Sequence, residues 1–424
     1  MSAPLNIAIV GSGIAGLAAA WLLGREHAVT LYERHARPGM GAFNVEVETG
    51  GAPLRIDVPL RVFKSGYYNN LMALYRAAGV VMQPTDHAAA YATPQGETYF
   101  RYRNLLMGTL SIPLVSGWGR RSWTITRELL RFVRTAPRDA ANGKAAGLTI
   151  AAYLAQHRYR SDFVDGMLLP SFAAICTCSY AAVRDYPAET LIDFFSSGSL
   201  LSGTWRARHG ADDAIARLSR PSTLRCDSKV AGLEMGSTGI TVTEAGGEQQ
   251  HFDHVIIAMQ ANQAAALVGT QDAQAADWLQ RVPYETSEVV VHSDGRLVPH
   301  SARKAPVHFS VDPAASRPMA NIRLNQLIPE LANHEVLYQT WNPLVEPAAH
   351  SVVGRAHFER PLVTLESQAA MAQLVTRQQA KPSRLWFCGS YLMPGIPLLE
   401  SAAQSALHVA EQLGVQAPWR LASR

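Results

Sequence analysis

Charge is the first thing this chain has little of. Asp, Glu, Lys and Arg make up 17% of its 424 residues, against about 25% in an ordinary globular protein. With 48% hydrophobic residues as well, disorder is excluded. A large apolar interior is expected instead, of the kind that surrounds a buried cofactor or a greasy substrate. The four cysteines (Cys176, Cys178, Cys226, Cys388) are too few and too irregularly spaced for a disulfide framework or a zinc site. A reducing, cytoplasmic setting is therefore expected. The fourteen histidines show no metal-ligand spacing, and no serine sits in a hydrolase elbow. A net charge of +4 is too mild for a nucleic-acid partner. There is no internal repeat and no low-complexity tract. The length suggests about two or three domains.

One uncharged run, the 18 residues Ile7–Gly24, has the length of a membrane span. Its glycines argue against a uniform helix, and no basic stretch precedes it as a signal peptide requires. It divides instead into a buried strand (Asn6–Val10), a turn (Gly11-Ser-Gly13-Ile-Ala-Gly16) and a helix (Ile14–Leu23) closed by Gly24. This order is the dinucleotide fingerprint. Gly11 permits the tight turn, Gly13 lets a pyrophosphate approach the backbone, and Gly16 lets helix and strand pack closely. Ile14 and Ala15 open the helix, whose free N–H groups favour an anion. A second strand, Ala28–Tyr32, ends at Glu33, seventeen residues past Gly16, where a carboxylate accepts from ribose hydroxyls. The continuation Arg34-His-Ala-Arg37-Pro-Gly39-Met-Gly41 looks like that of FAD proteins, in which a glycine turn wraps the diphosphate. Met40 stands where the second glycine of the usual pair is found.

On these motifs the chain resembles the flavin-containing amine oxidase and phytoene desaturase superfamily. It is most similar to its bacterial and fungal amine-oxidase-like FAD/NAD(P)-binding oxidoreductases, often encoded in bacteria beside cyclopropane-fatty-acid synthases. The likeness extends through Ile56-Asp-Val-Pro59-Leu60-Arg61-Val-Phe63, Tyr68-Asn-Asn-Leu71, Trp205, Gly210, His292-Ser-Asp294 and Trp341-Asn-Pro343. Near the end, Leu385-Trp-Phe-Cys-Gly389-Ser390-Tyr391 is similar to the strand and turn that return to the pyrophosphate. Glu400-Ser401-Ala402 then opens a helix similar to the one facing the flavin pyrimidine edge. Val230 lies where related enzymes touch the adenine end through backbone. Pro59, Arg61 and Pro394–Leu399 depart from the family pattern.

The resemblance implies an α/β fold: an FAD-binding, Rossmann-like domain of the glutathione-reductase type with an inserted mixed α+β substrate domain. The FAD domain would be threaded from residues 1–85, 206–267 and 375–424, with the substrate domain from 86–205 and 268–374. No second dinucleotide fingerprint is present, which favours reduction of the flavin by the organic substrate. The implied function is an FAD-dependent oxidase or desaturase removing hydride from a C–H or C–N bond of a small lipophilic substrate. Alternatives are a redox-neutral double-bond isomerase and a non-catalytic flavin-binding protein. Tyr338 and Trp341 are expected to line the pocket.

Two further features stand outside the family motifs. From Arg101 to Arg138 there are eight arginines, no lysine and one acid, Glu128. Arg120, Arg127, Arg131 and Arg134 fall near one helical face and Ile125, Leu129, Phe132 and Val133 on another, with Trp118 and Trp123 nearby. This pattern suits a solvated helix, or one meeting an anionic membrane surface or an acidic carrier protein. Cys176-Thr-Cys178 lies in an apolar segment. Packing is the ordinary role of such thiols. On a strand, however, the two would point the same way, into the pocket, where Arg61 is a candidate cation to lower a thiol pKa for catalysis.

Overall fold

The computed structural model describes residues 3–48, 52–107, 110–117, 119–312, 314–380 and 383–421; Trp118 lies outside them. Strand, turn, helix and strand fall at Asn6–Val10, Gly11–Gly13, Ile14–Leu23 and Ala28–Tyr32. They belong to a five-stranded parallel sheet ordered Thr223–Arg225, Ala28–Tyr32, Asn6–Val10, His254–Ile257, Leu385–Phe387. Strand alternation sorts its side chains into two cores. Ile7, Ile9, Leu31 and Ile256 face one way, onto the helices Ile14–Leu23 and Leu399–Gln412. Ala8, Val10, Val255 and Ile257 face the other, onto an antiparallel three-stranded sheet (Val230–Met235, Ile240–Glu244, Gln249–Phe252) and three helices. A parallel sheet covered on both faces needs such continuous apolar strands.

Those three helices move the boundaries drawn from sequence. Ala261–Val268 and Ala273–Gln280 bury Ala264, Ala276 and Leu279 in the second core, so that unit continues past residue 267. Leu365–Ala380 runs unbroken and buries Ala370, Met371 and Leu374 there, so the last segment begins before residue 375.

The other half is built on a broad sheet of eight strands. Its order is Val352–Pro361, Tyr284–His292, Tyr338–Trp341, Ala320–Arg323, Val307–Ser310, Ala89–Ala92, Thr98–Met107, Leu110–Val115. All neighbours are antiparallel except Val307–Ser310 beside Ala89–Ala92. Helices from Arg120 to Ser196 pack beside it in a third core. The two halves are thus an α/β unit and a mixed α+β unit.

The central strands of the broad sheet have chemically different faces. Val307, Phe309, Ala320, Ile322 and Trp341 point to one side, where they line a cavity. On the other side a row of buried polar groups crosses four strands. The Asp294 N–H donates to His292 Nδ1 (3.1 Å), and His292 Nε2 meets Thr340 Oγ1 (2.7 Å). Thr340 Oγ1 donates to Asn321 Oδ1 (2.5 Å), and Asn321 Nδ2 donates to His308 Nδ1 (2.9 Å). Burial pushes both imidazoles down to about 4, so both are neutral at pH 7. Their neutrality is what lets each Nδ1 accept.

Candidate functional site

The fingerprint turn opens on a cavity of about 450 Å³. Gly11 has φ of +106°, and a Cβ there would lie 2.7 Å from the Ala258 carbonyl oxygen. A Cβ on Gly16 would lie 1.9 Å from the Gly11 carbonyl oxygen, so only glycine lets the helix start against this strand. Gly13 differs: nothing lies within 4 Å of where its Cβ would stand. Gly13, Ile14 and Ala15 line the cavity, and no side chain caps their helix. The helix thus presents N–H groups and a partial positive charge to open space.

Glu33 is buried beside this turn. It accepts from the N–H of Ser12 (3.3 Å), the Ser12 hydroxyl and the N–H of His35 (2.9 Å). Ser12 Oγ in turn accepts from the Gly39 N–H (2.8 Å), which ties the fingerprint turn to the second glycine turn. Arg34 and Arg37 are exposed beyond Glu33. The approach to Val230 is fixed at the same end, through Ser228 N–H to the Glu33 carbonyl (2.8 Å) and Asp227 N–H to that of His35 (3.0 Å). Gly39 and Met40 line the cavity, whereas Gly41 packs against the helix Gly210–Ser219, where a Cβ would lie 2.6 Å from Asp212. The Met40 carbonyl accepts from Arg61 Nη2 (2.7 Å), and the buried Nη1 of Arg61 has no partner among the described residues.

The far side of this end is closed by the turn after the strand Leu385–Phe387 and by the helix Leu399–Gln412. Gly389, Ser390, Leu399 and Ala402 line it, with Gly389 N–H held by Ser405 Oγ (2.8 Å). Pro59 and Leu60 also face the cavity, and the Leu60 N–H donates to Gln339 Oε1 (2.8 Å). Glu400 and Ser401 turn away from it. The Glu400 carboxylate accepts from the N–H groups of Asn70 and Leu71 (both 3.0 Å) and from Asn70 Nδ2 (2.8 Å), so it caps the helix Asn69–Ala77. Ser401 Oγ donates to the Ile396 carbonyl (2.7 Å).

The apolar face of the broad sheet forms the rest of the wall. Trp341 is part of it; Tyr338 is not. Three residues apart on one strand, the two point to opposite faces, and Tyr338 stacks on His292 behind the sheet (ring centroids 5.8 Å apart). The thiols also depart from expectation. Cys176 ends the helix Leu169–Cys176, and Thr177 closes it in the left-handed region (φ 53°). The two thiols are therefore not on a strand. Both are buried in the core, while Thr177 between them lines the cavity. Contact with Cys176, together with burial, holds the Cys178 thiol far above its ordinary pKa, and its charged neighbours are Glu285 and Arg317 rather than Arg61.

Sequence reasoning missed Arg360 and His87, both on the wall. His87 is pushed down to about 4 by burial and by the nearby Lys64, and is neutral. Tyr68, noted only as part of a family motif, is also on the wall, with its phenol pKa raised by burial. Neither His87 nor Arg360 belongs to a motif. A cation in the short stretch Phe358-Glu-Arg-Pro361 carries no signal until the strand's neighbours are known.

Residues 9–78 match the NAD(P)-binding Rossmann-like domain family. No curated protein sequence matches the chain. Solved structures resemble it over nearly its whole length. A fatty acid isomerase from P. acnes that produces CLA has a TM-score of 0.70 at 10% identity, covering 98% of this chain and 100% of that one. Putrescine oxidase bound to putrescine gives 0.64 at 13% identity, with 97% and 99% covered. Cyclohexylamine oxidase from Brevibacterium oxydans IH-35A gives 0.61 at 14% identity, with 97% and 100% covered. The chain has the fold that these solved structures share, with a match to the NAD(P)-binding Rossmann-like domain at residues 9–78.

Proposed function

We propose that the protein is an FAD-dependent oxidoreductase that removes hydride from a C–H or C–N bond of a small lipophilic substrate, as an oxidase or desaturase. The observation that carries this reading is the uncapped helix start at Gly13, open to a cavity whose opposite wall is the apolar face of the broad sheet. The residues present fit the cofactor. Gly13, Ile14 and Ala15 would hold the diphosphate through N–H groups, and Glu33 the ribose. Backbone at Val230 would hold the adenine end, and the free Nη1 of Arg61 offers a donor beside the second glycine turn. Gly389, Ser390 and the helix start at Leu399–Ala402 would face the flavin, where a helix N-terminus favours negative charge.

Bound FAD supplies a two-electron acceptor. The chain's own part is positioning and dryness. Trp341, Phe309 and Ile322 present a rigid apolar wall that excludes water and holds a C–H bond in place. All four cysteines are unpaired, which supports a reducing, cytoplasmic setting. Among the described residues no helix is long and apolar enough to cross a membrane.

The test is anaerobic bleaching of the yellow protein by fatty acids, polyenes and amines. Bleaching by one class supports the reading and excludes a purely binding protein; a purified protein without flavin overturns it. A redox-neutral isomerase is a second reading, supported by the fold shared with a fatty acid isomerase over 98% of the chain. A product of unchanged oxidation level, formed without peroxide, would favour it.

A further inference from the structure

Arg360 lies on the cavity wall at the end of the strand Val352–Pro361. Among the described residues its guanidinium makes no hydrogen bond and no ion pair. The ionisable groups that act on it are Tyr68, Tyr186, Cys176 and a second cation, Arg61. None is a carboxylate. Burial pulls its pKa below the ordinary arginine value, the mark of a charge that lacks compensation. Glu359, a carboxylate on the same wall, is exposed to solvent. The wall of the cavity on which Arg360 lies is largely apolar elsewhere, with Phe309, Ile322, Trp341 and Leu398 among its residues. Arg360 is half-buried, and a cation partly withdrawn from water with no counter-charge is stabilised when an anion joins it.

We propose that Arg360 receives the carboxylate of the substrate, which makes the substrate class a lipophilic carboxylic acid rather than an amine. The inference rests on the cavity being the substrate site, as read above. A guanidinium matches a carboxylate bidentately and fixes its orientation. The chain of the acid then lies along the apolar face of the broad sheet. An ammonium group would meet two arginines and no buried carboxylate on this wall.

Flavin-loaded protein titrated with decanoate, decanol and decylamine tests this, read by the flavin spectrum and by heat. Wild type should bind decanoate most tightly and decylamine least. Arg360→Leu should weaken decanoate about 10- to 100-fold, the equivalent of one charged hydrogen-bonded contact, and leave decanol unchanged. Arg360→Lys should recover part of the loss and serves if the leucine variant does not fold. Equal weakening of decanoate and decanol, or a wild-type preference for decylamine, overturns the proposal. If the wild type carries no flavin, the cofactor reading fails, and the heat of decanoate binding still decides the role of Arg360.

An independent observation concerns the surface. The hairpin of Thr98–Met107 and Leu110–Val115 leaves Leu105, Leu106, Met107, Leu110 and Leu114 exposed by 37 to 57%. By register, Leu105, Met107, Leu110 and Leu114 share one face with Arg101 and Arg103. At the start of the same strand Arg121, in the first turn of the helix Arg120–Ala141, lies 4.0 Å from the Tyr99 ring centroid, so the helix begins beside the strand that carries this face. Its outer side carries Arg120, Trp123, Arg127, Leu130 and Arg134, with Trp123 and Leu130 each 59% exposed. Not all of the basic stretch is free. Arg127 and Arg131 pair with the buried Glu128 (2.9 and 3.1 Å), and Arg121 pairs with Glu97 (2.6 Å). Arg101, Arg103, Arg120, Arg134 and Arg138 have no side-chain hydrogen bond or ion pair among the described residues.

Exposed apolar side chains set among unpaired arginines match the interface of an anionic bilayer, where the leucines enter the acyl boundary and the arginines meet phosphates. We propose that this face docks on an anionic membrane. Co-sedimentation with phosphatidylglycerol vesicles should retain the protein, phosphatidylcholine vesicles should not, and salt should release it. Each of Arg120→Gln and Arg134→Gln should weaken binding about fivefold, and Leu105→Ser with Met107→Ser should weaken it further with flavin content unchanged. Capture by a soluble acidic carrier protein with no retention on vesicles overturns the membrane assignment.

Discussion

The two halves of this molecule meet the same requirement, a wall for one cavity, by opposite means. In the nucleotide-binding half, the wall at Gly13–Ala15 comes from neighbouring residues, and the elements that shape it lie within Asn6–Glu33. In the broad-sheet half, the wall is a register. Phe309 and Ile322 share it because Val307–Ser310 and Ala320–Arg323 pair, and the strand next in order, Ala89–Ala92, is more than two hundred residues away in the chain. A site made by a local turn tolerates change elsewhere. A site made by register depends on every strand that sets it.

The strongest way to separate these cases lies within the fingerprint itself. Gly16→Val drives a branched side chain into the Gly11 carbonyl and should cost at least about 3 kcal/mol, read as loss of soluble protein or a collapsed urea midpoint. Gly13→Val enters open space, so its stability should stay within about 0.5 kcal/mol of wild type while bound flavin is lost. A flavin-replete Gly13→Val protein would break the comparison, because the turn would then be only structural.

The broad sheet should instead fail in acid. His292 and His308 have pKa values near 4, below the ordinary 6.5. Between those values the unfolded chain binds more protons than the folded one. Stability is therefore full above pH 6.5 and falls as pH drops toward 4. The loss is about 2–3 kcal/mol for each histidine by pH 4. Urea unfolding at pH 7 and at pH 5 should show it, and His308→Gln should flatten the acid limb. An unchanged limb would mean that His308 does not contribute.

Smaller effects sharpen the assignment of chemistry. Glu33→Ala removes the acceptor proposed for ribose and also the acceptor for Ser12 in the fingerprint turn. It should weaken FAD by about 1.5–3 kcal/mol for each charged hydrogen bond lost, measured by flavin release on dilution. Cys176→Ser and Cys178→Ser, made singly, should cost about 1–2 kcal/mol of stability as buried hydroxyls and leave anaerobic flavin reduction at the wild-type rate. One variant that binds substrate and stays yellow would return that thiol to the reaction.

The same division explains what could be read from sequence. Asn6–Val10, Ile14–Leu23 and Ala28–Tyr32 were legible because turn chemistry, apolar runs and a terminal acid all lie close together in the chain. The thiols were misplaced because an apolar stretch such as Phe172–Cys176 fits helix and strand alike, and period alone does not decide between them. Tyr338 and Trp341 read as a pair, yet strand geometry divides them. Arg360 was illegible because what marks it is the lack of a partner among the described residues, which only the folded surroundings reveal. The domain boundaries slipped for a related reason: Leu365–Ala380 belongs to the core it packs on, and packing leaves no punctuation in the sequence.

The buried row behind the broad sheet has a consequence for proton traffic. Its donors all point the same way, from the Asp294 N–H through His292, Thr340 and Asn321 to His308. Histidine and threonine can pass a proton along by giving one and taking another. The amide of Asn321 cannot, since its nitrogen holds its hydrogens and its oxygen is scarcely basic. The row is thus an insulator that resembles a wire. By this route no proton is relayed along the back of the broad sheet from one end of the row to the other.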